Sequence, residues 1–368
     1  MQVHIEILLI AIITASACAL PGVFLVLRRM TLMSDAISHA ILPGIVIAFF
    51  FTHSVSSPIL ILAAAGTGIL TVVLVELLQK TELIKEDAAI GLTFPALFSI
   101  GVILISRYTR NVHLDIDAVL LGELAYAPLS RLTVLGFDIG PVALMVMTVI
   151  LILNLAFIVM FYKELKLVTF DVGLAATLGF APTLIHYGLM TLVSITTVGA
   201  FDAVGSILVV ALIAGPAATA YLMTNSLAQM LFLSAGVGSV NAVIGYLLAY
   251  RFDVSIAGTI ATVTFLVFGI VFLLIPNRGL LSIARRHLRQ KWEFAQTMLV
   301  IHLLNHEGLP EALDESEISH LYEHLQWEPT FASKVVRYAL NNRCVSQNDS
   351  QLILTDRGRT IAEQALIQ

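Results

Sequence analysis

Nine apolar segments, each long enough to cross or nearly cross a bilayer, constrain this chain more than any other feature. They lie near 5–27, 35–52, 57–79, 88–106, 139–161, 183–200, 203–223, 228–250 and 254–275. Backbone groups in hydrocarbon have no water to bond, so runs of this length predict helices. The expected fold class is an all-α polytopic membrane protein with about nine transmembrane helices. Hydrophobic residues are 58% of the 368 and charged residues only 12%, which excludes a soluble enzyme of this size.

Basic residues orient the spans. Arg28 and Arg29 follow the first, Lys80 and Lys85 the third, Lys163 and Lys166 the fifth, and Arg278, Arg285 and Arg286 the ninth. Nine spans put all of these on one side, predicted to be cytoplasmic, with the N-terminus outside and the C-terminus inside. Arg107 and Arg110 fall on the other side. Glu6 and the lack of a basic residue before the first span argue against a cleaved signal peptide. Cys18 lies in a span and Cys344 in the polar tail, so no disulfide is expected.

The second span carries Asp35 and His39 in the run Arg28-Arg29-Met30-Thr31-Leu32-Met33-Ser34-Asp35-Ala36-Ile37-Ser38-His39-Ala40-Ile41-Leu42-Pro43-Gly44. Residues i and i+4 share a helix face. Ionisable groups inside a membrane are costly and face a bundle interior or a watery path. A carboxylate and an imidazole form a partial shell for Mn²⁺, Fe²⁺ or Zn²⁺, and both could equally serve a polar network between helices. Asp202, before a Gly205 and Gly215-Pro216 interrupted span, is an additional candidate oxygen ligand. Glu76 is read as structural, within reach of Lys80 at i+4, and Arg28 and Arg29 as an anchor without chemistry. His113, Asp115 and Asp117 read as a solvated outer cluster, and 118–137, interrupted by Glu123, Pro128 and Arg131, as an interfacial or re-entrant element.

The loop 162–182 predicts a short helix capped by Thr169 or Asp171 and ended by Gly179, with Pro182 preventing continuation. A helix of mixed polarity between two spans suits a partner's groove.

These motifs together resemble the permeases of metal-uptake ABC transporters, importers of manganese, zinc or iron. Arg28 to Gly44 is similar to that family's second-helix signature. Lys85-Glu86-Asp87-Ala88-Ala89-Ile90-Gly91 resembles its loop before the fourth span, and Val204-Gly205 with Pro216-Ala217-Ala218-Thr219-Ala220 another signature. Phe170 and Asp171 through Ala175 and Gly179 resemble its coupling helix, which the family docks on an ATPase. Two departures are Ser34, where the family often has glycine, and Asp202, where a neutral residue is expected.

The resemblance implies ATP-driven import across a bacterial plasma membrane. This chain would form half of the pore, with Asp35 and His39 lining the ion path. It implies a separate ATPase subunit, an extracytoplasmic metal-binding protein and a second permease chain, all beside membrane lipid. No Gly-Lys dipeptide occurs, so a nucleotide-binding phosphate loop is lacking and this chain is not expected to be an enzyme. No resident cofactor is expected; the divalent ion is cargo.

Beyond Pro276 the composition turns polar, giving expected domains of 1–280 and 285–368. The tail holds eleven acidic against nine basic residues. It reads as helices at 285–306, 315–326 and 330–342, a hairpin about Asn348-Asp349-Ser350, and a last helix after Leu352-Ile353-Leu354-Thr355-Asp356-Arg357-Gly358-Arg359. That order resembles the small α+β winged-helix domain of metal-responsive repressors, which favours manganese or iron over zinc. A net acidic tail is a poor DNA binder, and exposed helix histidines are the simpler reading of the pairs His302/His306 and His320/His324, whose alternative is a regulatory metal site. The competing whole-chain reading is a membrane-tethered metal-responsive transcription regulator.

Overall fold

Proline, glycine and charge decide where the apolar runs become separate helices. The computed structural model describes residues 2–52, 58–108, 124–134, 137–276, 278–307, 325–348 and 351–367, and the chain divides into two compact units at 275/276. In the first unit, helices α1 (Gln2–Leu27), α2 (Leu32–Ala40), α3 (Leu42–Thr52), α4 (Pro58–Gln79) and α5 (Glu86–Tyr108) precede a two-stranded hairpin. That hairpin pairs β1 (Arg131–Val134) with β2 (Phe137–Pro141) antiparallel. Helices α6 (Val142–Met160), α7 (Tyr162–Phe170), α8 (Val172–Thr177), α9 (Pro182–Val204), α10 (Ser206–Met223), α11 (Leu227–Phe252) and α12 (Ile256–Leu274) complete it. Among the described residues nine helical stretches are long and apolar enough to cross a membrane, α2 and α3 together counting as one.

Helix α1 is the spine of this unit and packs against α6, α9, α10 and α11. Its Ile10, Ala15, Cys18 and Phe24 are fully buried. At Gly22 a Cβ would run into the Ile213 carbonyl, so α1 and α10 meet backbone to backbone. Small residues permit that approach and the dispersion contact it brings.

The second span is not the continuous helix expected. A one-residue turn at Ile41, two residues before Pro43, interrupts it while keeping helical dihedrals (φ −70°, ψ −21°). Proline has no N–H for the carbonyl four residues back, that of His39, and its ring crowds that carbonyl. The 162–182 loop likewise forms two short helices rather than one. Asp171, not Thr169, caps the second by accepting from the Leu174 amide at 2.9 Å. Gly179 ends it with φ 84°, its amide reaching the Ala176 carbonyl while that of Phe180 reaches Ala175. Glycine adopts that left-handed conformation without a Cβ penalty. Pro182 then opens α9 instead of merely stopping α8. The described part of 118–137 forms a turn and the start of the β-hairpin. Glu123, His113, Asp115 and Asp117 lie outside the described residues.

The second unit contains α13 (Leu280–His306), α14 (Pro329–Asn341), the antiparallel hairpin β3 (Val345–Asn348) and β4 (Gln351–Leu354), and α15 (Asp356–Ile367). Its core is Leu299, Val300, Val335, Ala339, Val345 and Leu352, with Trp292 stacked on Phe331. Gly358 is required where α15 begins, because a Cβ would strike the Cys344 carbonyl. The expected helix over 315–326, including His320 and His324, lies almost wholly outside the described residues. Cys18 and Cys344 are both free thiols.

Candidate functional site

Asp35 and His39 stand one turn apart on α2, with Oδ1 and Nε2 separated by 3.5 Å. Their neighbours Ala36, Ile37 and Ala40 are fully buried, whereas the Asp35 and His39 side chains are 41% and 32% exposed. The pair therefore forms a partly exposed polar face on a helix whose Met33, Ala36, Ile37 and Ala40 pack into the core. Phe94 and Phe98 of α5 wall one side of the imidazole, with ring centroids 5.9 and 6.5 Å away. The break at Ile41 follows immediately, and Pro43 leaves the His39 carbonyl without its usual helical donor. An oxygen and a nitrogen donor of intermediate softness, open on one side, can hold a divalent transition-metal ion loosely. No group of three or more His, Cys, Asp or Glu converges to hold a metal among the described residues.

Asp202 is exposed near the C-terminal end of α9, and no bond joins it to Asp35 or His39 among the described residues. His302 and His306 share a face of α13 with ring centroids 4.7 Å apart at an interplanar angle of 52°.

A second polar cluster was not anticipated. Glu76 does not serve Lys80: one carboxylate oxygen contacts His186 Nε2 and the other accepts from the Tyr187 hydroxyl at 2.6 Å. Arg28 donates through Nη1 to His186 Nδ1 at 3.1 Å and through Nε to Thr169 Oγ1 at 3.2 Å. A guanidinium can only donate, so Nδ1 must accept and the imidazole proton sits on Nε2, aimed at Glu76. Burial pulls the Arg28 guanidinium down to about 10, which leaves it charged at neutral pH. The cluster borders a cavity of about 520 Å³. Arg28, read as an anchor, is thus also bonded to two distant elements of the bundle. The available signal was two ionisable residues, Glu76 and His186, each in an apolar span and each needing a partner.

Beside this cluster the short helices present a mixed surface. Phe170, Val172, Leu174 and Leu178 are exposed, while Ala175 is fully buried against the bundle. Phe180 packs on the same core, which pins the turn at Gly179.

Residues 1–275 match the profile of the ABC 3 transport family. The chain is 45% identical over 361 residues to the zinc transport system membrane protein TroD of Treponema pallidum (strain Nichols), a match covering 98% of each. It is 45% identical over 284 residues to the manganese transport system membrane protein MntD of Bacillus subtilis (strain 168), covering 77% of this chain and 96% of that protein. A solved structure, PsaBC from Streptococcus pneumoniae in complex with Fab, overlays with a TM-score of 0.63 at 31% identity, covering 76% of this chain and 94% of that one. Nine membrane-length helices among the described residues, a second span carrying an acidic–histidine pair, and these matches identify the chain as a multi-pass membrane permease of the ABC 3 transport family.

Proposed function

We propose that this permease forms half of the pore of an ATP-driven importer of divalent transition-metal ions, and that Asp35 and His39 contact the ion in transit. The observation that carries this reading is a carboxylate and an imidazole 3.5 Å apart, partly exposed on a helix that proline breaks one turn later. Pro43 deprives the His39 carbonyl of its usual helical donor, which makes that oxygen available to an ion. A two-residue shell is incomplete by design: full closed coordination would trap the ion, whereas conduction needs release. Ligation requires a deprotonated pair, so affinity for the ion falls on acidification.

The metal is manganese or zinc by the names of the relatives. The tail does not favour manganese, since the relative that shares nearly the whole chain is named for zinc. An oxygen–nitrogen pair without thiolate suits either. Asp202 is retained as a rim oxygen that an ion meets away from the pair. The N-terminus faces outward, and the basic ends of the first, third, fifth and ninth spans lie in the cytoplasm. There Phe170, Asp171, Ala175 and Gly179 shape the α8 turn that docks a separate ATPase subunit, with exposed Phe170, Val172 and Leu174 as the apolar contact. An extracytoplasmic metal-binding protein delivers the ion, and a second permease chain completes the path beside the open face of α2. The three helices and hairpin described in the tail are read as part of a winged-helix-like cytoplasmic module with a protein-contact role. His302 and His306, two nitrogens on one face, are its candidate regulatory pair.

Radiometal uptake by cells expressing the full transporter tests the assignment, comparing Asp35→Ala and His39→Ala with the parent. Both variants are expected to lose uptake; parental uptake at parental expression refutes the site.

A further inference from the structure

Arg28 ties together parts of the bundle that are distant in sequence. From the end of α1 its Nε reaches Thr169 on α7, 141 residues away, and its Nη1 reaches His186 on α9, 158 residues away. His186 passes the connection to Glu76 on α4, which also accepts from Tyr187. Four elements therefore meet through one guanidinium, one imidazole and one carboxylate. Among the described residues the third guanidinium nitrogen, Nη2, is buried without a hydrogen-bond partner, and so is His186 Nε2, which lies close against Glu76 without hydrogen-bond geometry. An unmet buried donor on a charged group costs free energy, so this arrangement is one setting of a contact with room to change. The space is present: Arg28, Glu76, Thr169, Thr183 and His186 line the open cavity of about 520 Å³.

The position of Thr169 gives the cluster its meaning. It is separated by one residue from Asp171, whose side chain caps α8. Any push on α8 moves the backbone at Asp171, and the Thr169 hydroxyl transmits it to Arg28. The Arg28–His186 bond in turn fixes the imidazole tautomer whose Nε2–H faces Glu76. If Arg28 shifts, Nδ1 loses its donor and the hold of α9 on α4 through Glu76 is altered. Helix α4 packs directly on α2 and α3, which carry the acidic–histidine pair and its break.

We propose that Arg28, acting through Thr169 on one side and His186–Glu76 on the other, is the positioning residue that transmits ATPase movement from the α7–α8 turn to the helices holding the ion. This rests on the reading of that turn as the ATPase contact. The guanidinium is needed because its planar fork can hold two acceptors at fixed angles, which an ammonium cannot.

The test uses the assembled transporter, permease chains with ATPase, in proteoliposomes, with ATP hydrolysis and radioactive manganese or zinc uptake measured in the same vesicles. Arg28→Gln is expected to keep hydrolysis within about twofold of the parent while ions moved per ATP fall about tenfold. Arg28→Lys is expected to fall between, and Thr169→Val, which removes one hydroxyl without changing shape, to lower the ratio about threefold. Should Arg28→Gln fail to assemble, Thr169→Val decides. Hydrolysis and uptake falling by the same factor, or an unchanged ratio, overturns the assignment while leaving metal import standing. A parent complex that hydrolyses ATP but moves neither metal overturns the import reading and this inference with it.

Discussion

Among its described residues the membrane unit holds two carboxylate–imidazole pairs, and they differ in setting rather than in chemistry. Asp35 and His39 share one helix, stand 3.5 Å apart and are about a third to two-fifths exposed. Glu76 and His186 come from different helices, are less than one-fifth exposed, and are engaged on both sides by Arg28 and Tyr187. Among the described residues the first pair has lone pairs open to one side, whereas the second is hemmed in by protein groups on both sides. A ligand can displace little from the first and must break several bonds at the second. The same two functional groups, a carboxylate and an imidazole, therefore suit the proposed ion contact in one setting and the proposed link between helices in the other.

The sharpest way to break that contrast is Asp35→Ala, which leaves His39 alone on its face. Uptake is expected to fall about 100-fold, equivalent to ~2.7 kcal/mol, and radiometal flux reads it directly. Pro43→Ala comes next. It restores an N–H for the His39 carbonyl and straightens the span, and about tenfold less uptake is expected with an increase in thermal stability of the purified chain. Parental uptake there would show that the break does not shape the site. Asp171→Ala removes the α8 cap, at a cost of about 1 kcal/mol. Hydrogen exchange of the 172–177 amides should quicken about fivefold while the spans remain protected. The smallest effect belongs to Tyr187→Phe. Glu76 keeps His186, so uptake is expected within about twofold of the parent; a larger loss would move Tyr187 into the linking chain.

Much of the architecture was legible because membrane helices answer to local rules. Length and apolarity alone placed nine spans to within a few residues, since each must satisfy its backbone internally. The caps were partly legible as well: Gly179 ended its helix as expected, while Asp171 and Thr169 competed for one role and packing divided it. The break at Ile41 had its signal in Pro43, but apolar periodicity does not register a kink that leaves hydrophobicity unchanged. In the polar tail the hairpin followed from turn chemistry, whereas the reason for Gly358, a Cys344 carbonyl that leaves no space for a side chain, is a tertiary contact.

What the sequence determined by itself was therefore one-dimensional: where helices run, which ends are basic, that Asp35 and His39 share a face, and that no nucleotide loop is present. Each depends on residues a few positions apart, and helix geometry converts such spacing directly into direction. Only the tertiary structure decided that Glu76 turns from Lys80 to His186, that Thr169 serves Arg28, and that a residue read as an anchor joins four elements. Those bonds connect positions more than a hundred residues apart. A buried charge takes whichever partner folding brings to it, and nothing in its own neighbourhood names that partner in advance.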